Sequence, residues 1–300
     1  MLENDMMLII KKEKWIKGVK LVGKVVLITG ASSGFGYLTA LEFAEKGYKV
    51  IAAVRNMEKG ARLIKEATKL KLQDKITLET LDVTCVKSIA ALAEKFEAKG
   101  RLDILVNNAG YAGAGFAEEI PVDEYREQLE TNFFGAIAVT QAFLPLMRKR
   151  RSGRIIMMSS VSGQIGFPGL SPYVSSKFAL EGFSESLRLE LLPFSIYVTL
   201  VEPGSYKTSI WTDGKRITEK SIQENSPYAQ QMKSVEKYLQ KSEQNYGNPL
   251  EVAKKIVFIA EAKKPKLRYK LGKGVGMTIF LKACLPWKWW EKIVLYNLKK

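Results

Sequence analysis

Apolar positions along this chain alternate between two rhythms. Short runs rich in branched apolar residues recur at Val25–Thr29, Lys49–Val54, Ile76–Leu81, Ile104–Val106, Arg154–Met158 and Ile196–Val201. Runs of that length read as strands buried on both faces. Between them, apolar residues fall three to four apart at Phe35–Lys46, Glu58–Lys69, Lys87–Lys99, Val122–Arg150 and Pro172–Leu192. That spacing gives a helix one apolar side. Strand and helix in regular alternation predict an α/β fold: a doubly wound parallel sheet with helices on both faces, in three layers.

The rhythm breaks at Pro203–Gly247, a polar stretch punctuated by Gly204, Gly214, Pro227 and Gly247. A long excursion late in such a fold is usually functional. A helix then resumes at Asn248–Ala260, opened by Asn248-Pro249. Leu267–Gly272 reads as a last strand. The expected organisation is an extension at 1–20, a main domain at 21–272 with a substrate loop at about 203–247, and a tail at 273–300.

Composition narrows the chemistry. Three hundred residues, 46% of them hydrophobic, suffice for one full core. The absence of histidine removes Ser-His-Asp hydrolysis, Cys-His proteolysis and almost every zinc site. Cys85 and Cys284 make no disulfide framework, and no metal set is expected. Proton transfer therefore falls to Tyr, Lys, Asp or Glu.

The net charge of +16 is gathered at the ends. From Lys263 to Lys300 eleven Lys/Arg meet one acid, and from Met1 to Lys24 six Lys meet three acids. Such ends can meet nucleic acid, anionic lipid or water; a solvated surface is the expectation, and nucleic acid is not. The runs Met6–Ile10 and Val275–Leu281 are too short to span a bilayer. With no secretory signal in view, a soluble, cytoplasmic protein is expected.

The first strand runs into Thr29-Gly30-Ala31-Ser32-Ser33-Gly34-Phe35-Gly36 and then a helix. Glycines let the backbone turn tightly, approach a pyrophosphate and present helix N-terminal N–H groups to its charge. A strand before, a helix after and strand–helix repeats downstream give this turn the context of a Rossmann-type nucleotide site.

The spacing Thr-Gly-x-x-x-Gly-x-Gly resembles the opening motif of the short-chain dehydrogenase/reductase family. Further pieces follow in register: Asp82, Asn107-Asn108-Ala109-Gly110, Asn132 in a long helix, Ser160, Tyr173-x-x-x-Lys177 and Pro203-Gly204. The likeness runs from about Lys24 to Ala260. It implies that the turn Gly30, Ser32, Ser33, Gly34, Phe35 and Gly36 holds a nicotinamide dinucleotide, with Asp82 at the adenine and Asn108 at the ribose. Pro203, Gly204 and Thr208 would border the nicotinamide. The second strand ends Val54-Arg55-Asn56. It lacks the acid that binds a ribose 2′-hydroxyl, and a guanidinium suits a 2′-phosphate, so NADP(H) is expected.

Tyr173 and Lys177 lie four apart and share a helix face that continues as Leu180, Phe183, Leu187 and Leu191. A lysine heading a buried stripe is unusual. A free phenol has a pKa of ~10, and an adjacent ammonium favours phenolate and lowers that value. The resemblance implies that Tyr173 is the acid/base, that Ser160 holds the substrate oxygen, and that Lys177 also binds the nicotinamide ribose. It implies that Asn132 anchors a water in the proton relay. Ser159 is the rival serine, but Ser160, thirteen residues before Tyr173, has the family's separation.

The residues expected to rim the pocket, Ile165, Phe167, Leu170, Tyr206, Ile210 and Trp211, are apolar or aromatic and favour a lipophilic alcohol or ketone. Phe167–Lys177 and the glycine turn are similar to members acting on steroids and retinoids. The resemblance also implies an oligomer. The alternative to an enzyme is a regulatory or scaffold protein that senses NADP(H) without turnover. In the tail, Trp287-Lys288-Trp289-Trp290-Glu291-Lys292 could rest on an anionic membrane. Docking on the body, over the pocket or in a subunit contact, is the favoured reading there.

Overall fold

The computed structural model describes residues 23–208, 210, 214–244 and 246–299, with a short antiparallel pair at Trp15–Ile16 and Val19–Lys20. Seven parallel strands form the central sheet. They are β1 (Val25–Thr29), β2 (Lys49–Val54), β3 (Ile76–Thr80), β4 (Ile104–Asn107), β6 (Gly153–Met158), β7 (Ile196–Pro203) and β9 (Arg268–Leu271). Their order across the sheet is β9-β7-β6-β4-β1-β2-β3. The winding reverses between β1 and β4, and ligands of such folds bind outside the carboxyl ends of the strands at that switch point. A second, two-stranded parallel sheet joins β5 (Ala112–Ala114) to β8 (Lys215–Ile217).

Burial on both faces explains the unbroken apolar runs. Val26 and Ile28 of β1 point into one core layer and Leu27 into the other. The first layer lies under α1 (Gly34–Glu45), α2 (Met57–Lys69) and α8 (Pro249–Glu261), through Phe43, Leu63 and Ile256. The second lies under α3 (Val86–Lys99), α5 (Gly135–Lys149) and α6 (Ser171–Leu191), through Phe96, Phe143 and Leu187. Side-chain caps start two of these helices. The Asn56 carboxamide accepts the Lys59 N–H at 3.0 Å, and that of Asn248 accepts the Leu250 N–H at 3.0 Å.

The expected strands and helices stand within two residues of their expected ends, with one exception. The stretch at 122–150 is α4 (Val122–Leu129), a π turn (Glu130–Phe134) and α5. The excursion at 203–247 also holds more than a loop: β8 and α7 (Ala229–Glu243) lie in it. Three-residue strands such as Ala-Gly-Ala carry no apolar run to announce them. The tail forms α9 (Val275–Cys284) and α10 (Trp287–Lys299).

Phe143 is wholly buried and meets Phe96 edge-on, ring centroids 5.1 Å apart. Phe143→Ala is expected to lower stability by about 3–5 kcal/mol through lost burial and the cavity left behind. Denaturant unfolding checks this; a loss below about 1 kcal/mol would mean that the layer collapses around the gap.

Candidate active site

The nucleotide turn and the loop after β4 are laced together. The Thr29 hydroxyl accepts the N–H groups of Asn108 (2.9 Å) and Ala109 (3.0 Å). The Asn108 amide nitrogen donates to the carbonyls of Thr29 (2.9 Å) and Gly30 (3.0 Å). Gly30 has φ +66°, and a Cβ there would stand 2.8 Å from Ala109 Cα. A side chain on Gly36 would collide with the Asn108 amide and the Gly30 carbonyl. Bare backbone is therefore required at both positions. The resemblance puts Asn108 on the cofactor ribose; here its amide nitrogen is committed to the turn, so it shapes the cradle.

Ser32 is half-buried, and Ser33 stands exposed at the N-cap of α1 ahead of Gly34. Phe35 turns inward, edge-on to Tyr206 at 5.7 Å. Arg55 is exposed at the carboxyl end of β2, and its charge reaches Asp82. The Asp82 carboxyl is held below its ordinary range, chiefly by the Thr84 backbone N–H, then by the Thr84 hydroxyl and Arg55. A cradle closed to Cβ atoms, opening on a helix N-terminus with a cation and no acid at the end of β2, fits a dinucleotide with its pyrophosphate at the glycines.

The catalytic candidates converge at the ends of β6 and β7. Ser160 follows β6, caps a short 3₁₀ turn by accepting the Ser162 N–H at 3.1 Å, and is hydrogen-bonded to Tyr173. Tyr173 stands in the first turn of α6, where Pro172 suits a helix start. One turn on, buried Lys177 lies with its Nζ 5.5 Å from the centroid of the Tyr173 ring. Its ammonium donates to the Met158 carbonyl at 2.7 Å. Ser159 faces away and donates to Glu181 at 2.5 Å, which leaves Ser160 as the serine beside the phenol.

The expected lowering of the phenol by Lys177 is not what this geometry yields. Burial pushes Tyr173 up to about 12, against a smaller downward pull from Ser160. Burial pulls Lys177 down to about 8, with Glu181 opposing. The ammonium is tied to the Met158 carbonyl, and the cost of desolvating phenolate dominates.

Asn132 is buried in the π turn, and its amide bonds outside its own helix, to the loop after β4 and to α6. It accepts the Tyr111 N–H (3.1 Å) and donates to the Tyr111 carbonyl (3.0 Å) and the Ser176 hydroxyl (3.2 Å). At the end of β7, Pro203 is buried and the Gly204 N–H bonds the Leu271 carbonyl at 2.9 Å. Thr208 is half-buried just beyond. Ile165 and Phe167 join Val275, Ile279 and Trp290 in a small apolar cluster. Tyr206 is absent from that rim: it is buried behind the glycine turn against Phe35. Leu170 and Ile210 are half-buried, and Trp211 lies outside the described residues.

Directly beneath the site lies a charged network that the sequence reading missed. Arg268 Nε meets Glu181 at 2.8 Å and Glu202 at 3.1 Å, and its NH2 meets Glu185 at 2.6 Å. Gln164 donates to Glu202 Oε1 at 2.7 Å, while Oε2 has no hydrogen-bond partner among the described residues. Burial, then the nearby Glu181, pushes Glu202 up to about 7. A glutamate closing an otherwise apolar strand, at Val201-Glu202-Pro203, was the available signal.

The fold and this site define a nicotinamide-dependent oxidoreductase. Residues 24–217 match the family described as short chain dehydrogenase, and the chain belongs to that family. It is 46% identical over 276 residues to Uncharacterized oxidoreductase YusZ of Bacillus subtilis, covering 92% of this chain and 98% of that protein. It is 38% identical over 264 residues to 3-ketodihydrosphingosine reductase of Bacteroides thetaiotaomicron, covering 87% of this chain and 91% of that one. A crystal structure of a short-chain dehydrogenase from Streptomyces avermitilis superposes with a TM-score of 0.77 at 35% identity, covering 93% of this chain and 98% of that one.

Glu202 is wholly buried, and its folded value lies above the ~4.3 of an unfolded chain. The native state thus keeps a proton that the unfolded state releases, and stability falls as pH rises from about 4 to about 7. Glu202→Gln keeps the shape and removes the titration. It is expected to shrink that fall by on the order of 2 kcal/mol in chemical denaturation across the interval. An unchanged slope would show that Glu202 is ionised in the folded protein throughout.

Proposed function

We propose that this chain transfers a hydride between NADP(H) and an alcohol or carbonyl carbon of a lipophilic substrate. The meeting of Ser160, Tyr173 and Lys177 at one end of the sheet, next to the glycine cradle, carries the reading. The dinucleotide, when bound, supplies or accepts the hydride. Ser160 and the Tyr173 hydroxyl hold the substrate oxygen, where reduction of a carbonyl builds negative charge. With its pKa near 12, the phenol holds its proton at neutral pH and delivers it to that oxygen. Lys177 sets a positive charge beside the phenol, favours the phenolate formed as the proton leaves, and stands where it can hold the nicotinamide ribose. Asn132 fixes the loop at Tyr111 and the first turns of α6 through Ser176, from which a water relay would start.

Arg55 supports NADP(H) over NAD(H): it stands at the end of β2 where no acid waits for a 2′-hydroxyl. The apolar cluster around Ile165 and Phe167 supports a lipophilic substrate, as does likeness to a protein named for reducing 3-ketodihydrosphingosine.

The test is NADPH oxidation at 340 nm against long-chain, steroid and retinoid ketones and aldehydes, with NADH in parallel. Turnover is expected with NADPH, and Tyr173→Phe should lower kcat about 10²–10⁴-fold while leaving NADPH affinity intact. Tight NADPH binding without turnover on any carbonyl would favour a sensing protein instead. Arg55→Asp is expected to weaken NADPH binding at least tenfold and spare NADH; equal affinity for NADPH would remove Arg55 from the 2′-phosphate.

A further inference from the structure

The last two helices present an outward face that the fold does not use. Inward, α9 buries Val275 and Ile279 and α10 buries Trp290, with Val294 beside them, against Val161, Ile165 and Phe167. The pair thus lies over the loop that follows Ser160, as expected for a tail docked on the body. Turned away on α9, Met277, Phe280, Leu281 and Cys284 recur at i, i+3, i+4 and i+7 and make one stripe. Met277 is 62% and Phe280 60% exposed. On α10, Trp289, Ile293 and Tyr296 repeat at i, i+4 and i+7, with Trp289 65% and Tyr296 59% exposed. Lys288, Lys292 and Leu295 continue round that outward side.

Single exposed apolar residues need no account, but stripes of this size mark a contact surface. The charge says which kind. From Lys273 to Lys300 six lysines meet one acid, Glu291, and its carboxylate accepts the Trp287 indole N–H at 2.7 Å. A protein interface is depleted in lysine at its core, and nucleic acid offers little to an aliphatic stripe. Tryptophan and tyrosine interleaved with lysine suit the headgroup layer of a bilayer, where aromatic rings sit at the boundary and lysine heads reach the phosphates. Among the described residues no helix is long and apolar enough to cross a membrane, so the contact is one of lying on it.

We propose that α9 and α10 dock this enzyme on an anionic lipid surface. Because they also cover the apolar rim beside Ser160, docking sets the pocket entrance against the phase in which a lipophilic substrate is dissolved. That last clause rests on the substrate class proposed above; docking itself does not.

The full-length protein is sedimented with phosphatidylcholine vesicles, with and without about 30% phosphatidylglycerol, while tryptophan emission is followed. Capture by the anionic vesicles, with emission shifting to the blue, is expected, and little capture by phosphatidylcholine alone. The double variant Phe280→Glu/Trp289→Glu should partition at least tenfold more weakly, and Lys288→Gln/Lys292→Gln about fivefold more weakly per lysine. These side chains are on the surface, so NADPH affinity and Tm should be unchanged in both variants. The proposal falls if the wild type ignores anionic vesicles, or if Phe280→Glu/Trp289→Glu is captured as strongly as the wild type. It falls equally if that variant only turns a dimer into a monomer, which would assign the face to a second copy. Capture is read without turnover. A protein that reduces lipophilic ketones in detergent but ignores vesicles refutes docking alone, and one that docks but reduces nothing refutes the catalytic reading alone.

Discussion

The site hangs on how closely two loops can approach at the reversal between β1 and β4. Gly30 and Gly36 lack the carbon that would hold the loops apart, and the Thr29 hydroxyl and Asn108 amide tie them together. From that clamp a chain of hydrogen bonds runs onward. The loop after β4 leads from Asn108 to Tyr111, Asn132 grips both backbone groups of Tyr111, and the same amide reaches Ser176, whose hydroxyl donates to the Tyr173 carbonyl at 2.7 Å. Nucleotide cradle and catalytic helix are therefore parts of one hydrogen-bonded frame. A change at the glycines would be felt at the phenol.

Burial then sets the proton affinities inside the frame. It raises the neutral-when-protonated phenol and lowers the charged-when-protonated amine, so Tyr173 and Lys177 part in opposite directions from similar starting points. The outcome is a proton donor next to a cation, which suits an oxygen that is gaining negative charge. Behind them, one guanidinium serves three carboxylates, and the most deeply buried of these keeps its proton more tightly than a carboxyl ordinarily does. The floor of the site thus carries less negative charge than a count of acids implies.

Most of the sheet was legible from periodicity, because strands buried on both faces must be apolar throughout. Ser160, Tyr173 and Lys177 were singled out by the family's pattern and separations, and the fold brings the three side chains together. Other features have no local signature. Asn108 carries no local sign that its amide nitrogen bonds the Thr29 and Gly30 carbonyls, because that depends on the closeness of the Gly30 loop. Tyr206 looked like a rim residue by position, yet the missing side chain at Gly247 lets its ring sink against that backbone and Phe35. The phenol's proton affinity depended on burial and, to a lesser extent, on the Ser160 hydrogen bond, neither of which spacing reveals. The amphipathic tail was visible as composition, but only the helices separate the face that covers the body from the face that does not.

The π turn at Glu130–Phe134 has a consequence for the phase of the long helix. An α-helix advances about 100° per residue, so one extra residue in a turn rotates everything after it by that angle. Here α4 and the π turn aim Gln128 and Asn132 at the loop around Tyr111, while α5 aims Val139, Phe143 and Leu146 at the second core layer. A regular helix through the same positions would keep one set in phase and throw the other out. The wide turn lets a single rod satisfy two partners on different sides, and an ordinary α turn holding the same number of residues would force a choice between core and site.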